Sequence, residues 1–133
     1  AKKDSDRLAT AAETYLRETI PERKELYKVI QRELLEMLEK DPAKHQFEIA
    51  VRAYVCNRMS FSGLVTSGAG DGTAWTRSAA ERLRNVDLDN LEILNGDYWD
   101  MLFADGQEYD GIYADPPYAL GVQDSITDDL LIT

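Results

Sequence analysis

Three features of the sequence predict an α/β fold. Residues 1–58 carry apolar side chains at helical spacing, the last third holds two short apolar runs, and a helical pattern lies between those runs. The runs are residues 91–94 and 112–114, and each ends in turn residues, as strands commonly do. Their separation is enough for a helical crossover and exceeds what a tight hairpin needs, so we expect parallel strands in a right-handed βαβ unit.

The first 58 residues predict three helices. Pro21 predicts the start of the second helix, and Asp41 with Pro42 predicts the N-cap and first turn of the third. The third helix is apolar on nearly all sides, so we expect it to be buried. The positions expected to face the core on the first two helices are Leu8, Ala12, Tyr15, Leu16 and Thr19, then Leu26, Val29, Ile30, Leu34, Met37 and Leu38.

A long loop rich in glycine and serine follows over residues 59–77. Loops of this length in a compact domain are usually functional or disordered. Residues 68–72 imitate a nucleotide-binding glycine loop, but such a loop should directly follow a strand and open a helix, so a flexible recognition loop is the favoured interpretation. Ser78 and Glu81 predict a capping box for a short helix after the loop.

Composition limits the class of protein. A chain of 133 residues fits one domain, no apolar run is long enough to span a membrane, and no signal peptide is recognisable, so we expect a cytoplasmic setting. The single cysteine, Cys56, excludes an internal disulfide and is expected in the core. With His45 as the single histidine, a zinc site of the usual ligands is not expected, and no metal is predicted.

The net charge of −10 is unevenly distributed. Residues 87–133 hold twelve acidic side chains and no basic one, whereas residues 41–86 carry a net charge of +2. Only the last segment should therefore repel polyanions strongly. Five arginines around the loop are either a solvated surface or phosphate contacts: Arg52, Arg58, Arg77, Arg82 and Arg84. Trp75 within the loop is either a core anchor, which we favour, or a wedge against bases.

Asp97 and Asp115 are the candidate ligand-binding residues of the last third. Both are expected just beyond the carboxyl ends of their strands, the edge at which open α/β sheets bind ligands. Each is followed within three residues by a tyrosine, and carboxylate acceptors beside aromatic faces suit a nucleobase or nucleoside. Pro116 and Pro117 stiffen the turn after Asp115 and remove two backbone donors. The alternative is an ordinary turn that ends a strand.

Two segments carry a resemblance to a known family. Residues 113–118, Tyr-Ala-Asp-Pro-Pro-Tyr, resemble the signature of adenine-N6-specific DNA methyltransferases, and residues 57–63, Asn-Arg-Met-Ser-Phe-Ser-Gly, are similar to the start of the target-recognition region of the Dam-type class. The order of helices, recognition segment, Asn-Gly-Asp-Tyr turn and Asp-Pro-Pro-Tyr turn also matches. The resemblance implies methyl transfer from S-adenosylmethionine to the adenine amino group of double-stranded DNA after base flipping.

The resemblance also implies roles for particular residues. The catalytic turn would be residues 115–118, in which Asp115 and the Pro116 carbonyl accept hydrogen bonds from the amine, Pro117 stiffens the turn, and Tyr118 stacks on the flipped base. S-adenosylmethionine would lie against Asp97, Tyr98 and Asp115. The DNA-binding residues would be Arg58, Phe61, Ser62 and Arg77.

The expected organisation is an incomplete Rossmann-like methyltransferase fold with an N-terminal helical region. Its parts would be helical residues 1–58, the recognition loop and short helix of residues 59–86, and the βαβ catalytic segment of residues 87–133. The glycine-rich cofactor loop of the family has no counterpart before residue 15, which suggests a fragment. Two alternatives remain: an inactive DNA- or protein-binding module derived from such an enzyme, and a related RNA methyltransferase.

Overall fold

A computed structural model describes residues 2–63, 68–102, 106 and 108–116 of the chain. These residues divide into two compact units, 1–92 and 93–133, which we describe separately. The described residues form helices and contain no β-strand. No described helix combines the length and apolar character needed to cross a membrane. The helices are α1 (Lys2–Glu13), α2 (Ile20–Lys40), α3 (Gln46–Met59), α4 (Arg77–Arg84) and α5 (Tyr98–Leu102).

The expected α/β Rossmann-like fold is therefore wrong. The apolar runs at residues 91–94 and 112–114 have no regular structure, and their side chains are exposed, Ile93 by 74% and Ile112 by 65%. An isolated extended segment has no ladder partner for its backbone N–H and C=O groups, and runs this short bury little apolar area on their own. The helix expected between the runs is present as α5.

Helix α2 begins with a complete capping box. The Thr19 hydroxyl accepts a hydrogen bond from the Glu22 N–H, and the Glu22 carboxylate accepts one from the Thr19 N–H. Pro21 lies in the first turn, where its missing N–H costs nothing, as the sequence predicts. Tyr27, Ile30 and Leu34, at spacings of three and four residues, bury one face of α2.

Helix α3 begins later than expected and is buried on one side only. Asp41 ends α2 instead of opening α3, Pro42 lies in the intervening turn, and His45 occupies the N-cap position of α3 without a side-chain hydrogen bond. The expected burial of α3 is therefore only partly met, because Glu48, Ala50 and Asn57 are exposed. The buried residues of α3 are Val51, Val55, Cys56 and Met59, which join the core of residues 1–92 with α2.

Helix α4 is capped by Thr76, whose hydroxyl accepts a hydrogen bond from the Ala79 N–H at 3.1 Å. The capping box expected from Ser78 is therefore wrong, because Ser78 lies inside the first turn, past the N-cap position. Small side chains are buried on α4 and on α1, the two helices that pack most extensively: Ala79 and Ala80, and Ser5, Ala9 and Ala12.

Replacement of Ala80 by leucine is expected to lower the free energy of unfolding by about 1–3 kcal/mol. Ala80 is fully buried where α4 packs on α1, and a larger side chain would force the two helices apart. Urea denaturation followed by circular dichroism measures the change. Ala50→Leu, at an exposed position of α3, is the matched control and should change stability by no more than about 0.5 kcal/mol. Equal effects of the two variants would contradict close packing of α1 on α4.

An ion-pair network also joins α1 to α4. Arg84 contacts the carboxylate of Glu13 at 2.6 Å and that of Glu81 at 2.9 Å. The hydrogen bond from Arg84 lowers the pKa of Glu13 below its ordinary value of 4.5. Because the folded state holds this carboxylate in its charged form, the pair stabilises the fold above pH 4.5 and loses its effect as the pH falls through the lowered pKa.

Glu13→Gln is therefore expected to destabilise the protein at neutral pH and to have no effect in acid. The measurement is urea denaturation of both proteins between neutral pH and the acid limit of folding. Glu25→Gln is the matched control, because Glu25 pairs with Lys28 on the exposed surface of α2. If the wild type remained more stable than Glu13→Gln at low pH, the role of this carboxylate would be contradicted.

Candidate nucleic-acid interface

The loop after α3 is held together at its base. Ser60 and Ala69 form an isolated antiparallel bridge, the Phe61 N–H donates to the Gly68 carbonyl at 2.8 Å, and the Gly70 N–H donates to the Met59 carbonyl at 3.0 Å. Residues 60–61 are thus paired with residues 68–69 at the C-terminal end of α3. We call the described residues 60–63 and 68–69 the recognition hairpin; residues 64–67 lie outside the described part of the chain.

Two of the predicted DNA-binding residues lie at the start of the recognition hairpin. Phe61 is 70% exposed, and Ser62 is exposed with a φ of 57°, in the left-handed region that few non-glycine residues adopt. The Asn57 side-chain amide donates to the Gly63 carbonyl at 2.6 Å and so supports this turn from α3. Asn57 was not predicted as a site residue, although it opens the segment that carries the family resemblance.

The chain returns from the hairpin through residues 68–76, which we call the return segment. At Gly70, a Cβ atom would lie 3.2 Å from the Met59 carbonyl oxygen, so a larger residue would require the backbone to shift by a few tenths of an ångström. Gly72 has a φ of +74°, and a Cβ there would lie 2.9 Å from Cδ of Arg23 on α2. Gly70 and Gly72 thus allow the return segment to pack closely against α3 and α2. The glycine run follows no strand among the described residues and α4 begins only at Arg77, so a nucleotide-binding loop lacks its required context.

Trp75 anchors the end of the return segment, and the expectation of a core anchor is confirmed. Its side chain is 2% exposed and packs edge-on against Tyr54 of α3, with the ring centroids 5.7 Å apart. The backbone N–H of Trp75 donates to the Gly72 carbonyl at 3.0 Å. Asp71 adds a local turn by accepting from the Thr73 N–H and hydroxyl, and these hydrogen bonds lower the pKa of Asp71.

The arginines proposed to contact phosphate differ in their surroundings. Arg77, the first residue of α4, is exposed. Arg58 is half-buried, and its Nε donates to the Ala74 carbonyl at 3.1 Å. Arg52 is paired with Glu33 at 2.9 Å, and Arg84 belongs to the network that joins α1 to α4, so these two serve structure.

Asp97 and Tyr98 lie at the start of α5, in the second unit. The Asp97 carboxylate accepts a hydrogen bond from the Trp99 N–H at 2.8 Å, and its carbonyl accepts one from the Met101 N–H. Asp97 therefore caps the first turn of α5. The Tyr98 ring is 60% exposed and lies edge-on to Trp99 at 5.9 Å between centroids.

Asp115 and Pro116 are exposed and lie in a segment without regular structure, and Tyr113 nearby is 91% exposed. Pro117 and Tyr118, the other two residues of the predicted catalytic turn, lie outside the described part of the chain. Exposure leaves the acceptor oxygens of Asp115 and Pro116 accessible to a planar ligand that carries an amino group.

The described residues do not form an enclosed site for S-adenosylmethionine. Asp97, Tyr98 and Asp115, which would border this cofactor, are all exposed. Two surface grooves lie elsewhere, one along α1 beside Phe47 and one at the turn between α2 and α3. An enclosed cofactor site needs apolar walls with a few convergent polar groups, and the described surroundings of these three residues supply none.

Cys56 is buried in the core beside the α2 face, where burial raises the pKa of its thiol to about 12. A thiol that stays protonated at neutral pH is a poor nucleophile, which agrees with the predicted core role. Within the described ranges, no group of three or more His, Cys, Asp or Glu side chains is placed to hold a metal ion.

Comparison of the chain with models of known protein families, with curated proteins and with solved structures finds no match. The motifs of the sequence and the arrangement of the hairpin and its supports therefore indicate the function.

Proposed function

We propose that this chain recognises double-stranded DNA for methylation of the adenine N6 amino group, with S-adenosylmethionine as the methyl donor. In this proposal the recognition hairpin of the helical unit binds the duplex, and residues 115–118 receive the adenine flipped from the stack. The observation that carries the proposal is a hairpin held at its base that exposes the Phe61 ring and the Ser62 hydroxyl, in a unit that also exposes Arg77 at the start of α4.

The fastening of the hairpin supports a binding role. Its described residues are joined by hydrogen bonds at Phe61 and Gly70, and Asn57 holds the Gly63 carbonyl, so these residues lose little conformational entropy on binding. Phe61 is too exposed to contribute to the core, and an exposed aromatic ring on a well-held loop suits stacking against bases.

Local charge supports a polyanionic partner for this part of the chain. Residues 41–86, which contain the hairpin and α4, have a net charge of +2 within a chain of −10. Arg77 is exposed beside the return segment, and a phosphate contact there would release counterions. The excess of acidic residues lies after residue 86, in the segment proposed to receive the base.

The chemistry of residues 115–118 supports adenine as the target. A carboxylate and a proline carbonyl are both hydrogen-bond acceptors, and the adenine amine is a donor. Two acceptors on one amine would orient its lone pair, so catalysis by this chain would be mainly positioning.

The test is transfer of a labelled methyl group from S-adenosylmethionine to an adenine-containing DNA duplex, with duplex binding measured on the same preparation. A duplex whose adenines already carry the N6 methyl group is the control substrate and should accept no label. We expect salt-dependent duplex binding and label in N6-methyladenine. Absence of both binding and transfer would overturn the proposal, and transfer to RNA but not to DNA would favour an RNA methyltransferase.

A second function is a DNA- or protein-binding module without catalytic activity. The observation that favours it is the exposure of Asp97, Tyr98 and Asp115 without an enclosing cavity among the described residues. Duplex binding without any methyl transfer would support this module over the enzyme.

A further inference from the structure

We propose that Arg58 acts as a positioning residue that fixes the recognition hairpin, and that its contribution to DNA binding is indirect. This inference rests on the proposed function, because it assigns a role within the same DNA interface. It differs from the role implied by the family resemblance, in which Arg58 contacts the target DNA.

The contacts of Arg58 join two segments of the helical unit. Arg58 lies in the last turn of α3, two residues before Ser60, where the hairpin begins. Its Nε donates to the carbonyl of Ala74, sixteen residues further along the chain. The side chain is half-buried, so its guanidinium is already partly removed from water and held by the protein. Arg58 thus fastens the outgoing end of α3 to the return segment.

The return segment has a second support on α2. Gly72 lies on the aliphatic stem of Arg23, and the guanidinium of Arg23 is held in turn by the carbonyls of Arg17 and Glu18, at 3.0 and 3.4 Å. Both arginines therefore donate to backbone carbonyls within the protein. The return segment is held between α2 and α3, and its position determines where Ala69 meets Ser60 at the hairpin base.

Loss of either support should displace the hairpin base. Loss of a hydrogen bond from a charged donor to a carbonyl can weaken DNA binding that depends on it by about tenfold.

The salt dependence of DNA binding distinguishes a positioning residue from a phosphate contact. Removal of one phosphate contact lowers the slope of log affinity against log salt by about 0.9, whereas displacement of the hairpin lowers affinity at every salt concentration alike.

The test compares three variants of the full chain: Arg58→Ala, Gly72→Ala and Arg77→Ala. Binding to an adenine-containing duplex is measured across a series of salt concentrations, and hydrogen exchange of the Phe61 and Gly70 amides is measured without DNA. Gly72→Ala disturbs the return segment with no change of charge, since its Cβ would collide with Arg23 at a positive φ. Arg77→Ala removes an exposed arginine of the same charge and is the matched control.

We expect Arg58→Ala and Gly72→Ala to weaken binding by about tenfold with an unchanged salt slope and to speed exchange at both amides. Arg77→Ala should reduce the slope by about 0.9 and leave exchange unchanged. A reduced slope for Arg58→Ala with unchanged exchange would overturn the inference. If the wild-type chain binds no duplex, the proposed function fails. The exchange rates still show whether Arg58 holds the hairpin, and unchanged rates in Arg58→Ala would reject that role.

Discussion

Asp115→Ala is expected to reduce methyl transfer to adenine by at least about a hundredfold. The carboxylate is the proposed acceptor for the adenine amine, and removal of one hydrogen-bonding group that acts on the reacting centre typically costs this much in rate. Asp115 is exposed in a segment without regular structure, so its removal should leave the helical unit folded. The measurement is the initial rate of labelled methyl incorporation under saturating S-adenosylmethionine.

Asp110→Ala is the matched control for this prediction. Asp110 is an exposed acidic residue five positions earlier in the same unit, and its loss makes the same change in net charge. We expect Asp110→Ala to transfer methyl groups at close to the wild-type rate. Equal rates for Asp115→Ala and the wild type would exclude Asp115 from the reaction.

Trp75→Ala is expected to destabilise the helical unit by about 3–5 kcal/mol. The indole is 2% exposed and lies against Tyr54, and its Nε1 has no hydrogen-bond partner among the described residues that the variant would lose. The loss of stability therefore comes from the missing packing contacts and from the cavity that the indole leaves behind. It would remove a large part of the roughly 5–15 kcal/mol that stabilises a typical domain.

Urea denaturation followed by far-ultraviolet circular dichroism measures this loss. Trp99→Ala is the matched control, since Trp99 is 45% exposed and lies in the other unit. We expect the control to change stability by less than about 1 kcal/mol. A similarly small change in Trp75→Ala would contradict its role as the anchor of the return segment.

The helices could be predicted where local signals agreed. In α2, the proline near the start and the apolar spacing of Ile30 and Leu34 indicate the same element, and the structure has it. The start of α3 was misplaced because Asp41 and Pro42 form a good helix start by composition, but they occupy the end of α2 and the turn after it. Local propensity does not say which of two neighbouring helices a residue belongs to.

The strands could not be predicted reliably, because a strand is defined by its partner. Residues 91–94 and 112–114 have suitable side chains, yet among the described residues neither pairs with another segment. The sequence predicts part of the candidate site, namely the motif residues and the position of the loop. It does not predict the supports of the hairpin, because Arg58 contacts Ala74 and Gly72 contacts Arg23 across long sequence separations.

The packing of α1 against α4 has a consequence for how the protein is made. The Ser5 hydroxyl donates to the carbonyl of Arg84, 79 residues later, so this contact cannot form until α4 has left the ribosome. Helices α2 and α3 are neighbours in sequence and pack on each other, and they can pair earlier. Synthesis at about 5–20 residues per second leaves α1 without its main partner for several seconds. During that interval the buried side of α1, with Ala9 and Ala12, is available to chaperones.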